Sequence, residues 1–233
     1  MAEPYRIRRI ITVGLFLVII GVVIVVTGSS PQTSSSTQVT TPDTHNGQLA
    51  TSALDGLPVK GRAPKTDYSR EQFGAGWATI QGCDTRNIIL HRDMTDTQVD
   101  EACHVIAGLL RDPYTGKDIQ FVRGSGTSDD VQIDHVVALS DAWQKGAQLL
   151  SREMRVELAN DPLELLAVDG PANQQKSDGD AATWLPTYKP FRCQYVARQI
   201  SVKQKYGLWV TEAERDAIKN VLSSCPSQRL PAQ

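Results

Sequence analysis

The sequence lacks the short motifs that mark several common classes of hydrolase and metal-binding domain. It has no Cys-x-x-Cys pair, so a zinc ribbon is not expected, and no His-Glu-x-x-His, which excludes a zincin protease. There is no Gly-x-Ser-x-Gly nucleophile elbow, and the Gly-Ser-Gly-Thr stretch at 124–127 lacks the lysine of a phosphate-binding loop. Zinc proteases, serine α/β-hydrolases and P-loop NTPases are therefore not expected.

Histidine and excess positive charge are also scarce. Only His91, His104 and His135 follow residue 53, and the formal net charge of the chain is −2. A domain that binds nucleic acid through a broad basic face would be more basic, so any contact with DNA is expected to be local. The His-Arg-Asp triplet at 91–93 lacks the other motifs of a kinase, and His104 is interpreted as a structural residue on the flank of a helix.

One long hydrophobic run is present near the N-terminus. Residues 10–28 are uncharged and mostly apolar, and as a helix they are long enough to cross a hydrocarbon core of ~30 Å. Three arginines lie in residues 1–9, and the next basic residue is Lys60. This asymmetry predicts a cytoplasmic N-terminus, a transmembrane anchor over 10–28 and export of the rest. A cleavable signal peptide, which would leave the protein secreted, is the alternative.

The remainder divides into a linker and one domain. Residues 29–53 are rich in Ser, Thr, Gln and Pro and predict a disordered linker, because they cannot bury enough apolar surface to offset the entropy of ordering. Residues 54–233 are expected to form one α+β domain with more helix than strand. All four cysteines lie in this domain, an even number that fits two disulfides in an oxidising compartment.

Hydrophobic periodicity predicts three longer helices, over residues 95–111, 191–205 and 211–223. Apolar residues recur in each at helical spacing, and the first and third open with capping-box patterns at Thr95 and Thr211. The connection between the last two is short, which favours an antiparallel hairpin.

That hairpin bears on the disulfide pairing. It would place Cys193, near the start of one helix, beside Cys225, just past the end of the other. Of the three possible pairings we therefore favour Cys193 with Cys225, which leaves Cys83 with Cys103.

The central segment predicts strands followed by helices. Residues 118–124 and 131–137 read as two strands joined by a Gly-Ser-Asp loop, and a helix capped by Ser140 and Asp141 is expected to continue to Leu150. A short apolar stretch at 163–168 leads into an Asp-Gly-Pro turn and a polar helix that begins near its proline.

A strand that ends in Asp134-His135, followed later by a helix with Asn173 and Lys176, resembles the ββα-metal site of HNH nucleases. The stretches "IDHVVALSDAW", "NDPLELLAVDGPANQQKSDGDAATWLP" and "FRCQYVARQISVKQKYGLWVT" are similar to the exported HNH endonuclease family of actinobacteria, which is related to the C-terminal domain of GmrSD-type restriction endonucleases. The resemblance covers roughly residues 57–225. It implies a ββα-metal (His-Me finger) core embedded in a mainly helical, disulfide-stapled domain.

The resemblance also implies roles for these residues. His135 would be the general base, a role that suits an imidazole with a pKa near ~6.5. Asp134 and Asn173 would hold one divalent ion, Mg²⁺ or Mn²⁺, because hard oxygen ligands suit such ions. Lys176, one helical turn beyond Asn173, would face a phosphate.

The sequence departs from the HNH pattern at one position. Glu164 stands where the pattern has its middle asparagine, so Glu164, or Asn160 in its place, is expected to orient the imidazole. Trp184 is expected in the core or at the entrance of the site. The competing interpretation of Asp134-His135 is a hydrogen-bonded structural pair that closes a strand.

The leading hypothesis is therefore a membrane-anchored, outward-facing, metal-dependent HNH endonuclease that hydrolyses DNA. Little sequence specificity is expected, since no recognition helix or zinc finger is attached. A non-catalytic envelope or cell-wall module that keeps the fold is the alternative, and a hydrolase of another phosphodiester polymer is a third possibility. The sequence indicates no protein partner.

Overall fold

The computed structural model describes residues 47–231 of the chain. The predicted cytoplasmic N-terminus, the predicted anchor at 10–28 and most of the predicted linker lie outside the described residues. From residue 47 to residue 231, no helix has both the length and the apolar character needed to span a membrane.

Between residues 47 and 231 the chain forms seven α-helices and seven β-strands. The helices are α1 (Ala50–Asp55), α2 (Thr85–Asp93), α3 (Leu139–Gln144), α4 (Arg152–Asn160), α5 (Gly170–Lys176), α6 (Arg192–Lys205) and α7 (Glu212–Ser223). The strands are β1 (Thr79–Ile80), β2 (Cys83–Asp84), β3 (Thr95–Val99), β4 (Val105–Arg111), β5 (Asp118–Val122), β6 (Val131–His135) and β7 (Leu165–Asp169). The predicted linker ended at 53, but the fold begins earlier, because Ala50 and Ala53 are buried in the core.

The strands form small antiparallel sheets, β1 with β2, β3 with β4 and β5, and β6 with β7. The architecture is mixed α+β, as the sequence predicted, and not the mainly helical domain that the resemblance implied. The two strands predicted at 118–124 and 131–137 are present as β5 and β6, but they belong to different sheets.

The helix predicted over 95–111 is wrong, since this segment is the β3–β4 hairpin. The Asp100 side chain accepts hydrogen bonds from the backbone N–H groups of Ala102 and His104, which stabilises a turn in place of a helix. Cys103 adopts a positive φ of 65° and is bonded to Cys83. Local turn chemistry and a distant disulfide partner therefore override the helical spacing of the apolar residues.

The C-terminal helices form as predicted. Thr211 and Glu214 make both hydrogen bonds of a capping box at the start of α7. The Cys193–Cys225 disulfide links the start of α6 to the residues after α7, and Cys83–Cys103 is the other bridge.

The β6–β7 pair lies between two hydrophobic clusters. Leu166 and Val168 belong to the cluster that also contains residues of α1, α3, α4, α6 and α7. Leu165 and Ala167 belong to the cluster that also contains residues of α2, β4 and β5. Because both faces of β7 are buried, its sequence is continuously apolar rather than alternating.

A cluster of charged side chains, all buried except that of Arg62, joins α3, α6, α7 and the segment after α5. It balances three cations against three carboxylates, namely Arg62, Lys145 and Lys203 with Asp141, Asp180 and Glu214. Burial alone would lower the pKa of Lys145, but the carboxylates raise it. Such pairing compensates the cost of removing the charges from water.

The helix predicted at 140–150 is shorter in the structure, because the chain leaves helical geometry at Gly146, which has a positive φ of 124°. Asp141 was predicted as a helix cap with Ser140, but its carboxylate is 2.8 Å from Lys145 Nζ. The Ser140 hydroxyl donates to Asp178 at 3.2 Å. The helix α3 starts after Ala138 without a side-chain cap and ends at Gln144.

Candidate active site

The frame of the candidate site is the β6–β7 pair with α5. The register places His135 opposite Leu165, at the C-terminal end of β6. The helix α5 follows β7 directly: the Asp169 side chain accepts the N–H of Ala172, and a proline lies in the first turn. The helix folds back over the strands, so its last residue, Lys176, returns to the end of β6.

Asp134 is buried and held by two donors. Lys176 Nζ donates to one carboxylate oxygen at 2.8 Å, and the Tyr114 hydroxyl donates to the other. Burial raises the pKa of Asp134, although the positive charge of Lys176 opposes the rise. Lys176 also donates to the His135 carbonyl at 2.8 Å, and its side chain is fully buried. Lys176 therefore does not face a phosphate as predicted, because its ammonium group is buried and donates to Asp134 and to the His135 carbonyl at the end of β6.

His135 points away from these contacts, as the alternation of a strand requires. Its Nε2 lies 3.0 Å from the carbonyl oxygen of Ala159. The ring is nearly parallel to the indole of Trp77, with a centroid distance of 5.8 Å. Because a carbonyl can only accept, Nε2 carries the hydrogen of the neutral ring and Nδ1 keeps its lone pair.

The environment keeps the His135 ring uncharged. Burial lowers the pKa of His135 to about 3, and the positive charges of Arg70 and Lys176 act in the same direction. The ring is consequently neutral at physiological pH, the form in which it can accept a proton.

Neither candidate for orienting the imidazole does so. Glu164 Oε2 accepts the backbone N–H of Val137 at 3.2 Å, and burial raises the pKa of this carboxyl well above its usual range. Asn160 Oδ1 accepts the backbone N–H of Ala78 at 2.8 Å. The expectation was wrong for both residues, since a backbone carbonyl and an indole fix the ring.

Asp134, His135 and Asn173 border one open cavity of about 520 Å³. Its other lining residues include Arg70 and Arg86. His135 also borders a second cavity of about 210 Å³, which is lined by Trp77 and by Arg70. The structure thus brings the three predicted residues to one polar cavity, although Asp134 and His135 leave opposite faces of the strand.

The donors at the larger cavity suit a hard divalent ion. Asn173 Nδ2 donates to Gln132 Oε1 at 3.0 Å, which leaves the amide oxygen as a donor to a metal. Each carboxylate oxygen of Asp134 has a second lone pair beyond its present hydrogen bond. Across residues 47–231, no group of three or more His, Cys, Asp or Glu side chains is arranged to hold a metal. One carboxylate and one amide are enough for an ion that keeps several waters and binds substrate phosphate.

The remaining residues considered from the sequence have structural partners. His91 Nδ1 lies 2.7 Å from the Thr97 hydroxyl, and His104 Nδ1 lies 3.0 Å from Asp100. Trp184 packs edge-on against Tyr114, with a centroid distance of 4.8 Å, and it does not border either of the two cavities described above.

Three residues at the site were missed from the sequence, namely Arg70, Trp77 and Tyr114. All lie at least 20 residues from Asp134 in the chain, and no local pattern links them to it. Arg70 opens a four-residue 3-10 helix, Arg70–Phe73, whose sequence gives no sign of a functional site.

The site described so far combines a neutral imidazole at a strand end with a carboxylate and an amide in one polar cavity, groups that can accept a proton and bind a cation. Residues 84–221 match the family model described as GmrSD restriction endonucleases, C-terminal domain. The chain belongs to this family. The family relationship indicates a nuclease-type domain.

One relative extends the similarity over most of the chain. An "Uncharacterized secreted protein" of Arthroderma benhamiae (strain ATCC MYA-4681 / CBS 112371) is 38% identical over 189 residues, which cover 80% of this chain and 89% of the relative. No solved structure matches the chain.

Proposed function

We propose that this protein is a metal-dependent endonuclease of the HNH type that hydrolyses phosphodiester bonds of DNA, with His135 as the general base. The observation that carries the proposal is the hydrogen bond from His135 Nε2 to Ala159, because it fixes the tautomer with a free lone pair on Nδ1. His135 borders the cavity shared with Asp134 and Asn173. The family relationship supports a nuclease.

In this proposal the proton moves from the attacking water to His135 Nδ1. Burial lowers the pKa of His135, which keeps the ring in its free-base form at pH 7 but makes it a weaker proton acceptor. A phosphate anion that enters the cavity favours the imidazolium, whereas a divalent ion held beside it disfavours the imidazolium.

Asp134 and Asn173 are the residues that would hold the divalent ion, Mg²⁺ or Mn²⁺. When bound, the ion stabilises negative charge on the phosphate and on the leaving oxygen. Lys176 and Tyr114 would be positioning residues, since their hydrogen bonds fix the orientation of the Asp134 carboxylate.

We place the activity outside the cytoplasm. The two disulfides fit an oxidising compartment, and the relative is described as secreted. The N-terminal hydrophobic run would serve as an anchor or as a cleaved signal. We expect little sequence specificity, because no separate recognition helix is seen in the sequence or between residues 47 and 231.

The test is nicking and linearisation of a supercoiled plasmid by the purified protein with Mg²⁺, Mn²⁺ or EDTA. We expect metal-dependent cleavage that EDTA abolishes and that Asn173→Ala weakens in a way that more metal restores. Cleavage that EDTA does not affect would refute the metal requirement.

An inert protein would favour the non-catalytic envelope module. One observation favours that second candidate: Glu164 replaces the asparagine of the HNH pattern and binds the backbone of Val137 in place of the imidazole. Glu164→Asn would then be the next variant, and cleavage gained by it would show that the site had lost its chemistry at this position.

A further inference from the structure

Two cavities meet at His135, and only the larger one is needed for the hydrolytic chemistry proposed above. The larger is polar and contains Asp134 and Asn173. The smaller adjoins it, since Arg70, His135 and Leu139 border both. A polymer strand whose phosphate occupies the larger cavity would therefore have a neighbouring unit close to the smaller one.

The smaller cavity has the size and lining for one nucleobase. Its volume of about 210 Å³ is far above the ~10–15 Å³ that a single water molecule needs. Trp77, which is half-buried, supplies aromatic surface, on which bases stack without regard to sequence. The buried Phe73 closes the cavity on its core side. Gly74 and Gly76 line it with positive φ values of 109° and 154°, so any side chain there would be strained.

Arg70 stands at the boundary between the two cavities. Its side chain is exposed and has no ion-pair partner among residues 47–231. An unpaired guanidinium bordering such a cavity is suited to bidentate hydrogen bonding with a phosphate. The buried Lys176 is unavailable for this role, because its donors serve Asp134 and the His135 carbonyl.

We propose that the smaller cavity binds the nucleoside attached to the scissile phosphate and that Arg70, which borders both cavities, binds that phosphate. This inference rests on the proposed function, since it assigns the substrate's path through the same site. A base can enter a cavity only after it leaves the helical stack. The preferred substrate is therefore single-stranded or locally unpaired nucleic acid.

The first experiment measures binding without turnover. The full chain is titrated against a fluorescein-labelled single-stranded oligonucleotide, and against its duplex, in EDTA with anisotropy as the readout. We expect tighter binding of the single strand. Loss of a charge-assisted hydrogen bond should make Arg70→Ala bind it at least about ten-fold more weakly, and the slope of log K against log salt should become shallower by about 0.7.

Matched controls separate a specific contact from loss of general charge. Arg152→Ala removes an exposed arginine that borders neither cavity, so affinity should stay within about two-fold of wild type. Arg70→Lys should recover part of the loss, since it keeps the charge without the planar fork. Equal effects of Arg70→Ala and Arg152→Ala would overturn the assignment of Arg70.

A filling variant tests the cavity itself. Ala75 lines the smaller cavity, so Ala75→Leu, which fills space without adding an aromatic face, should weaken binding of the single strand more than that of the duplex, whereas Ala102→Leu at the exposed hairpin should not. Equal affinity of wild type for single strand and duplex, unchanged by Ala75→Leu, would refute the nucleoside subsite. Hydrolysis of bis(p-nitrophenyl) phosphate by the wild type, a substrate without a nucleoside, separately reports whether the proposed hydrolytic function holds.

Discussion

Replacing Lys176 by methionine should destabilise the domain strongly, although this lysine looks like a surface residue in the sequence. Its side chain is fully buried, and its ammonium lies 2.8 Å from both Asp134 Oδ1 and the His135 carbonyl oxygen. The substitution leaves a carboxylate buried without its cation, which typically costs about 3–5 kcal/mol. For a domain of this size that loss lowers Tm by about 6–20 °C.

The assay is urea and thermal unfolding with the disulfides intact, followed by circular dichroism. Burial already raises the pKa of Asp134 while Lys176 opposes the rise, so losing Lys176 raises that pKa further. In the variant, the buried Asp134 carboxylate destabilises the folded state while it is charged, and this cost disappears as the pH falls through its raised pKa. The loss of unfolding free energy caused by Lys176→Met should therefore become smaller as the pH is lowered from 8 to 5.

A double-mutant cycle makes the reasoning refutable. Asp134→Asn combined with Lys176→Met removes both charges and should be more stable than Lys176→Met alone, with a coupling above about 1 kcal/mol. Lys219→Met is the matched control, because this lysine is half exposed and its pairing with Asp55 is worth at most about 1 kcal/mol. If the two substitutions change the free energy of unfolding additively, or if Lys176→Met changes it by less than about 1 kcal/mol, the buried pair does not contribute to folding stability.

Three further predictions concern stability. Removing the Cys193–Cys225 disulfide, which spans 32 residues, should cost about 3–4 kcal/mol in urea unfolding. Burial would raise the pKa of Asp161, but hydrogen bonds from a lysine, a backbone amide and a tyrosine lower it. Asp161→Asn should therefore be less stable than wild type at pH 7. In thermal melts at different pH values, the difference in Tm between the two proteins should become smaller as the pH falls below about 4. Gly170→Ala should lower Tm, because a Cβ there would lie 2.0 Å from a backbone oxygen, whereas Gly61→Ala, with nothing within 4 Å, should not.

The features that the sequence predicted correctly are those determined by near neighbours. The capping box at Thr211 and the apolar spacing of α6 and α7 lie within single helices, and the packing of these helices brings Cys193 to Cys225. The prediction of a helix over residues 95–111 failed because the apolar residues of this segment, which forms the β3–β4 hairpin, fit a helical period by coincidence. The turn at Asp100 and the disulfide of Cys103 to a distant cysteine decide the outcome.

In the candidate site, too, the features set by neighbouring residues were predicted, and those set by distant segments were not. The end of β6 and the start of α5 follow from local patterns, so His135 and Asn173 could be named. The burial of Lys176, the carbonyl that binds the imidazole and the position of Arg70 depend on segments 24 to 65 residues away in the chain. Such contacts are set by tertiary packing, which a single sequence does not display.

The most direct test of the central claim is metal-dependent plasmid nicking by His135→Gly with and without added imidazole. We expect the variant, folded as judged by circular dichroism, to lose at least about 10²-fold in rate, because it lacks the general base. Added imidazole should restore part of the rate, since His135 borders both cavities and its removal opens space between them. A variant that cleaves at the wild-type rate without imidazole would contradict the assignment of His135 as the base.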